Sequence, residues 1–266
     1  MTSLRTTLAD GLVMARRNLS HVRHEPEQLM DVTVQPFVLV LLFACVFGGA
    51  VVVHGVDYKT FLIAGIFVQT LAFGTMGAAV SMAEDMRRGV IDRFRSLPMA
   101  RSAVLVGRAV ADLGASATGL TVLAATGLLV GWGIETGVGD AIAGFALLLL
   151  FAFAMSWVGT LLGLVARSAE VAQQVVFIVV LPLTFVSNAF VPPQTMPGAL
   201  RTFAEWNPIS AVVAACRQLF GNGPAAAPDA AWPLQHPVVA ALAWIALILA
   251  VAAPLAVRRY RSAMGR

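Results

Sequence analysis

Thr60-Phe61-Leu62-Ile63-Ala64-Gly65-Ile66-Phe67-Val68-Gln69-Thr70-Leu71-Ala72-Phe73-Gly74-Thr75-Met76-Gly77-Ala78-Ala79-Val80-Ser81-Met82-Ala83 contains no charged residue, and Glu84-Asp85-Met86-Arg87-Arg88 follows it at once. A run of roughly 20 uncharged residues crosses the hydrocarbon of a bilayer as a helix, because only intrahelical bonding satisfies the backbone where water is absent. An arginine at mid-bilayer costs roughly 2.5–3.5 kcal/mol on insertion scales, so the emptiness of such a run carries physical meaning. Five further runs read the same way. Spans are predicted at 32–53, 60–83, 109–134 (free of charge from Leu113 onward), 141–166, 171–191 and 237–257. The fold class expected is an all-α integral membrane protein with six transmembrane helices, built as one transmembrane domain over 1–266.

Composition supports this reading. Of the 266 residues 59% are apolar and 12% charged, against about 25% charged in a soluble domain. Two cysteines, Cys45 and Cys216, are too few for a disulfide framework. The placement of the 18 basic residues sets the orientation, because cytoplasmic loops collect Lys and Arg. Fifteen of the 18 lie in the N-terminal segment, the second and fourth loops and the tail; Lys59, Arg201 and Arg217 alone lie in the others. Both termini are therefore expected in the cytoplasm. The first apolar run begins only at Val32 and is too long for the core of a signal peptide, so the N-terminus is expected to be retained.

Three segments outside the spans have a pattern of their own. Along 1–30, Leu4, Leu8, Leu12, Ala15, Leu19 and Val22 form one stripe edged by Arg5, Arg16 and Arg23. This suits an amphipathic helix lying on the inner leaflet, or a cytoplasmic helix packed on protein. The loop 84–101 is dense in both signs of charge yet keeps Val90, Phe94 and Leu97 on one helical face. Gly89 and Pro98 bound a short helix there, too short to be stable without packing on its own bundle or in a partner's groove. A basic loop resting on headgroups is the other reading. In the loop 192–236, Asn207 suits an N-cap, Pro208 the first helical position and Gly221 the C′ position, so 208–220 is predicted as one helix. With Ile209, Val212, Cys216 and Phe220 on one side and Arg217 off it, this helix is expected to dip into the outer leaflet or to cap the outer end of the bundle, a surface-lying helix being the alternative. Residues 221–236 show no assignable pattern.

The chain lacks the phosphate loop that ATP hydrolysis needs, as well as His-Glu-x-x-His, Gly-x-Ser-x-Gly and any clustered Cys/His set. No catalytic residue and no metal ligand is assigned; His21 and His24 have no third partner in view. Asp112 is the one candidate for a functional intramembrane charge, and pairing with Arg108 one turn before it is the expectation. A passage without an engine implies an energising partner on the cytoplasmic side. Ala83-Glu84-Asp85-Met86-Arg87-Arg88-Gly89-Val90-Ile91-Asp92-Arg93-Phe94-Arg95-Ser96-Leu97-Pro98-Met99 resembles the first cytoplasmic loop of the membrane subunits of the ABC transporter-2 family. The run Phe190-Val191-Pro192-Pro193, Met196-Pro197, Trp206-Asn207-Pro208-Ile209-Ser210 and Arg217-Gln218-Leu219-Phe220 resembles the daunorubicin/doxorubicin-resistance branch of that family.

The resemblance implies a half-transporter in a bacterial cytoplasmic membrane, paired with a second permease subunit as a homodimer or paralogous heterodimer. Two copies of a separate nucleotide-binding ATPase would bind ATP and Mg, with no cofactor in this chain and no nucleic acid. It implies that Glu84, Asp85, Arg88, Val90, Asp92, Arg93, Phe94, Arg95, Leu97 and Pro98 couple to the ATPase. Trp206, Asn207, Pro208 and Arg217 would belong to an outer re-entrant element. A substrate path beside spans two and five would use Gln69, Phe73 and Met76 with Gln174, Phe177, Phe185 and Asn188, a set of rings, a thioether and amides suited to a large apolar molecule. Plain helix-packing faces are the alternative for those residues. The function expected is ATP-driven export of a hydrophobic drug, antibiotic or lipid; a polysaccharide or glycolipid exporter and an ion-coupled carrier are the alternatives. Gly127-x-x-x-Gly131 and Gly159-x-x-x-Gly163 are read as close-packing signals.

Overall fold

The computed structural model describes residues 38, 56–87, 101–224, 227 and 229–263. The predicted interfacial helix at 1–30, the first span at 32–53 except Val38, and the loop residues Arg88, Val90, Asp92, Arg93, Phe94, Arg95, Leu97 and Pro98 lie outside them. The described residues form helices and no strand: α1 (Tyr58–Arg87), α2 (Arg101–Leu129), α3 (Val138–Val165), α4 (Ala169–Phe185), α5 (Gly198–Trp206), α6 (Pro208–Phe220), α7 (Trp232–Gln235) and α8 (Pro237–Ala263), with a 3-10 turn at Pro193–Thr195. Among the described residues, four helices are long and apolar enough to cross a membrane, over Tyr58–Arg87, Gly107–Leu129, Val138–Val165 and Pro237–Tyr260.

α1 is the central post. It packs chiefly on α3 and α4 and also touches α2 and α6. Small residues bring its backbone close to that of α3. A Cβ on Gly159 would sit 2.8 Å from that of Ala78, and one on Gly163 would sit 2.7 Å from that of Met82. The second small-residue motif of the sequence is therefore a helix–helix contact within the chain. The first is split: Gly127 faces the ring of Trp132 and Ile63 of α1, while Gly131 turns the chain after α2 at φ 97°.

The long helices run past the predicted span ends, because Glu84–Arg87 continue α1 and Arg258–Arg259 continue α8 where water solvates the charges. The predicted span 171–191 divides instead. α4 starts on Ser168, whose hydroxyl accepts from the Val171 N–H at 3.3 Å, and ends at Phe185, three residues after Pro182. Residues Ser187 to Phe190 then fold inward as a buried turn, with the Ser187 hydroxyl donating to the Thr184 carbonyl and accepting from the Ala189 N–H. Absence of charge marks burial or lipid and does not separate a helix from a turn.

α4 is buried along one narrow row, Ala172, Val176, Val180 and Thr184, spaced four apart. Its other faces expose Val171, Val175, Phe177, Ile178, Val179 and Phe185. The helices alternate in direction, so Arg87, Arg108, Arg167, Arg258 and Arg259 gather at one end of the bundle, here the arginine-rich end. The connector 130–137 and the segment 186–224 meet at the opposite end. A satellite cluster of Met82, Leu105, Ala109, Trp157, Ala252, Ala256 and Tyr260 packs the arginine-rich half.

Candidate functional site

At the opposite end, Asn207 joins two helices. Its Oδ1 accepts the Ile209 N–H at 2.9 Å to cap α6, while its Nδ2 donates to the last carbonyls of α4, Leu183 at 2.7 Å and Val186 at 2.8 Å. Pro208 takes the first helical position and Gly221 closes the helix at φ 75°, as the capping signals predict. α6 does not lie on a surface: Ile209 to Val213, Ala215, Cys216, Arg217 and Phe220 are all buried. It sits among α1, α3 and α8 as a plug. Phe220 meets Phe67, Trp132 and Phe145 with ring centroids 5.1–6.4 Å apart.

Arg217 corrects the reading of a residue off the apolar face. It is 3% exposed. Its Nε and Nη2 donate to the Phe61 carbonyl at 3.0 and 2.8 Å, Nη1 to the Asn188 carbonyl at 2.8 Å, and Nη2 also to the Ala189 carbonyl at 3.0 Å. The guanidinium lies 3.4 Å from the centroid of the Phe61 ring. A helical-wheel reading misses this because most of α6, the side bearing Arg217 included, is buried in the bundle, so being off the stripe does not mean facing water.

Beyond α6, described residues of the unassigned segment 221–236 are tied down. Asn222 Nδ2 donates to the Gly133 carbonyl at 2.9 Å, and Arg201 bridges Glu205 and Asp229, each at 2.8 Å. The Arg201 bond holds the Asp229 carboxyl below the usual carboxylate range. Of these partners only the four-residue spacing of Arg201 and Glu205 was visible in the sequence; nothing marked Asn222 or Asp229. Trp206, at the end of α5, is half exposed.

At the arginine-rich end, Arg108 bonds Asp85 and Ser81 and thereby clips α2 to the last turns of α1. The expected Arg108–Asp112 pairing is not formed. Asp112 Oδ2 is buried without a hydrogen-bond partner, because Arg108 reaches across to the neighbouring helix rather than up its own. Glu84 and Asp85, the described coupling residues, are half-buried on α1 beside this clip.

The residues predicted to line a path divide. Gln69 is buried on α1 with its Oε1 unpartnered, alongside fully enclosed Leu62 and Ile66. Phe73 and Met76, nearer the arginine-rich end, are half-buried, and Phe73 meets half-exposed Phe177 of α4 at 6.4 Å between centroids. Gln174 and Phe177 lie with Glu170 along a shallow groove at the start of α4. The stripe is thus closed toward one end and open toward the other. Phe185 is half exposed and its ring lies 5.3 Å from that of Phe190. Asn188 leaves the set: it follows the end of α4, is buried, and donates from Nδ2 to the Ser210 carbonyl at 3.2 Å.

The sequence model of the ABC-2 type transporter matches residues 11–220. This chain belongs to the ABC-2 type transporter family. It is 34% identical to the daunorubicin resistance ABC transporter permease protein DrrB1 of Streptomyces coeruleorubidus over 271 residues, covering 97% of this chain and 93% of that protein. It is 28% identical to the doxorubicin resistance ABC transporter permease protein DrrB of Mycobacterium tuberculosis (strain CDC 1551 / Oshkosh) over 195 residues, 73% of this chain and 67% of that one. The chain is thus a multi-pass membrane permease of the ABC-2 type.

Proposed function

We propose that this ABC-2 permease is the membrane-spanning subunit of an ATP-driven exporter of hydrophobic small molecules, whether drug, antibiotic or lipid. The near full-length similarity to a daunorubicin resistance permease carries this reading. The bundle has six spans in a bacterial cytoplasmic membrane, the first at 32–53 and the fifth containing α4, with both termini and the arginine-rich end in the cytoplasm. Two copies of a nucleotide-binding subunit dock on 84–101, where Phe94 and Leu97 present the apolar face and Glu84, Asp85, Arg88, Asp92, Arg93 and Arg95 the charges. Asp85 then has a second role, since its bond to Arg108 links the docking loop to α2.

A second permease subunit packs against α4, whose exposed apolar faces support this position. The substrate enters between α4 and α1 beside Gln174, Phe177, Phe73 and Met76, where two rings, a thioether and an amide favour a flat apolar molecule. The test is co-purification from detergent-solubilised host membranes with an ATPase assay. A nucleotide-binding subunit recovered in equal amount, with hydrolysis stimulated by daunorubicin, is the expected result. Phe94→Asp with Leu97→Asp abolishes that recovery while the chain still inserts. Retention of the ATPase by the double variant removes the docking role, and a partnerless active protein removes the exporter reading.

A further inference from the structure

A cavity of about 440 Å³ opens at the end of the bundle opposite the arginine-rich one, between the start of α1, the turn after α4, α6 and the segment leading to α8. Its walls carry one ionised side chain, Arg217, together with the amides of Asn188, Gln194, Gln218 and Gln235. The charge of Arg217 meets carbonyl dipoles and the face of Phe61, and among the described residues no carboxylate pairs with it. Arg217 has five N–H donors; four are spent, which leaves one on Nη1.

Asn188 supplies the second half of the site. It is 5% exposed and lines the cavity, one N–H of its Nδ2 donates to the Ser210 carbonyl, and its Oδ1 has no partner. A buried acceptor without a donor is costly to keep, and so is a buried cation without an anion. A bare anion would answer Arg217 and face the Asn188 oxygen. A cation would answer the oxygen and be repelled by Arg217. A group that presents an anionic oxygen and, a few bonds away, a hydroxyl donor answers both.

We propose that this cavity binds a phosphate ester of a polyol, with the phosphate against Arg217 and a hydroxyl donating to Asn188 Oδ1. That chemistry is shared by a phosphatidylglycerol headgroup and by free glycerol phosphate. The orientation proposed above turns the cavity toward the outer face; the site itself does not depend on the ATPase or on the exported substrate, so its failure leaves the exporter reading untouched.

The test is native mass spectrometry of the full chain, delipidated in detergent and offered dioleoylphosphatidylglycerol and dioleoylphosphatidylcholine in equal amounts. The chain retains the phosphatidylglycerol over the phosphatidylcholine by about tenfold, the ratio of one good charge-assisted hydrogen bond. Asn188→Asp places a carboxylate beside Arg217, and Gln218→Glu, at an exposed position, places one at the rim; each brings the ratio to about two or below. Displacement of the lipid by sn-glycerol 1-phosphate assigns the site to a soluble polyol phosphate, and resistance to it assigns the site to the lipid. Equal retention of the two lipids by the unaltered chain, or an undiminished preference in Gln218→Glu, overturns the proposal.

Discussion

The two ends of the bundle hold their arginines in opposite ways. At the arginine-rich end Arg108 bonds a carboxylate and a hydroxyl on a neighbouring helix, in a setting where Asp85 stays more than a third exposed. At the other end Arg217 is enclosed and bonds main-chain carbonyls from α1 and from the turn after α4. A carboxylate side chain rotates freely and has an alternative in water, whereas a buried main-chain carbonyl has neither. The first arrangement suits a joint that loads and unloads, next to the loop proposed to receive the ATPase. The second suits a fixed lock on the plug helix. The forked guanidinium reaches three carbonyls at once, which an ammonium cannot do in one plane.

The largest break in this comparison is Arg217→Ala. It leaves the carbonyls of Asn188 and Ala189 buried without their donor and removes the cation from Phe61, a loss on the order of 3–6 kcal/mol. The expected outcome is a large fall in melting temperature of the detergent-purified chain and loss of protection from proteolysis across 186–224. Arg217→Lys restores part of it. If Arg217→Ala melts like the unaltered chain, the plug is held by its apolar packing alone and the lock is not real.

A smaller effect follows from Arg108→Ala, because a pair with one partner more than a third exposed is screened and is worth about 0.5–1 kcal/mol. Its consequence for coupling is larger than that for stability. Drug-stimulated ATP hydrolysis falls severalfold while association with the ATPase persists, since the clip joins α1 to α2 on either side of the docking loop. Asp85→Asn reproduces the effect, and the double variant is no worse than either single one. Additive losses would mean that the two residues act separately.

The lock at one end was less legible in the sequence than the spans that carry it. Charge-free runs located α1, α2, α3 and α8 because lipid and core both exclude charge, and the caps of α6 were readable because Asn207, Pro208 and Gly221 act through their own backbone. What escaped were features made between distant segments. Arg217 reaches Phe61 across 156 positions, and no local pattern records that. The pairing of Arg108 with Asp85 rather than Asp112 depends on which helix lies alongside, a fact of packing rather than of spacing. Asn188 shares a helical face with Phe177 and Phe185 only if α4 continues, and it stops at Phe185.

Arg201 sharpens the comparison from the weak side, since it shares the end of Arg217 but not its enclosure. It bonds Glu205 within α5 and Asp229 in the segment beyond α6. Because its bond holds the Asp229 carboxyl below the usual range, the tie is complete above the ordinary carboxylate value of about 3.9 and is lost only as the pH falls through the lower folded value. Arg201→Gln therefore lowers the melting temperature slightly, and by the same amount from pH 6 to pH 8. It does speed proteolytic cleavage within 221–236, because Asp229 and the Ala231 N–H both depend on the Arg201–Glu205 pair for their seat. Acidification through that lower folded value produces the same cleavage in the unaltered chain and little more in Arg201→Gln. A fall in melting temperature as large as that of Arg217→Ala would show that exposure does not separate these two arginines, and the distinction between lock and tether would fail.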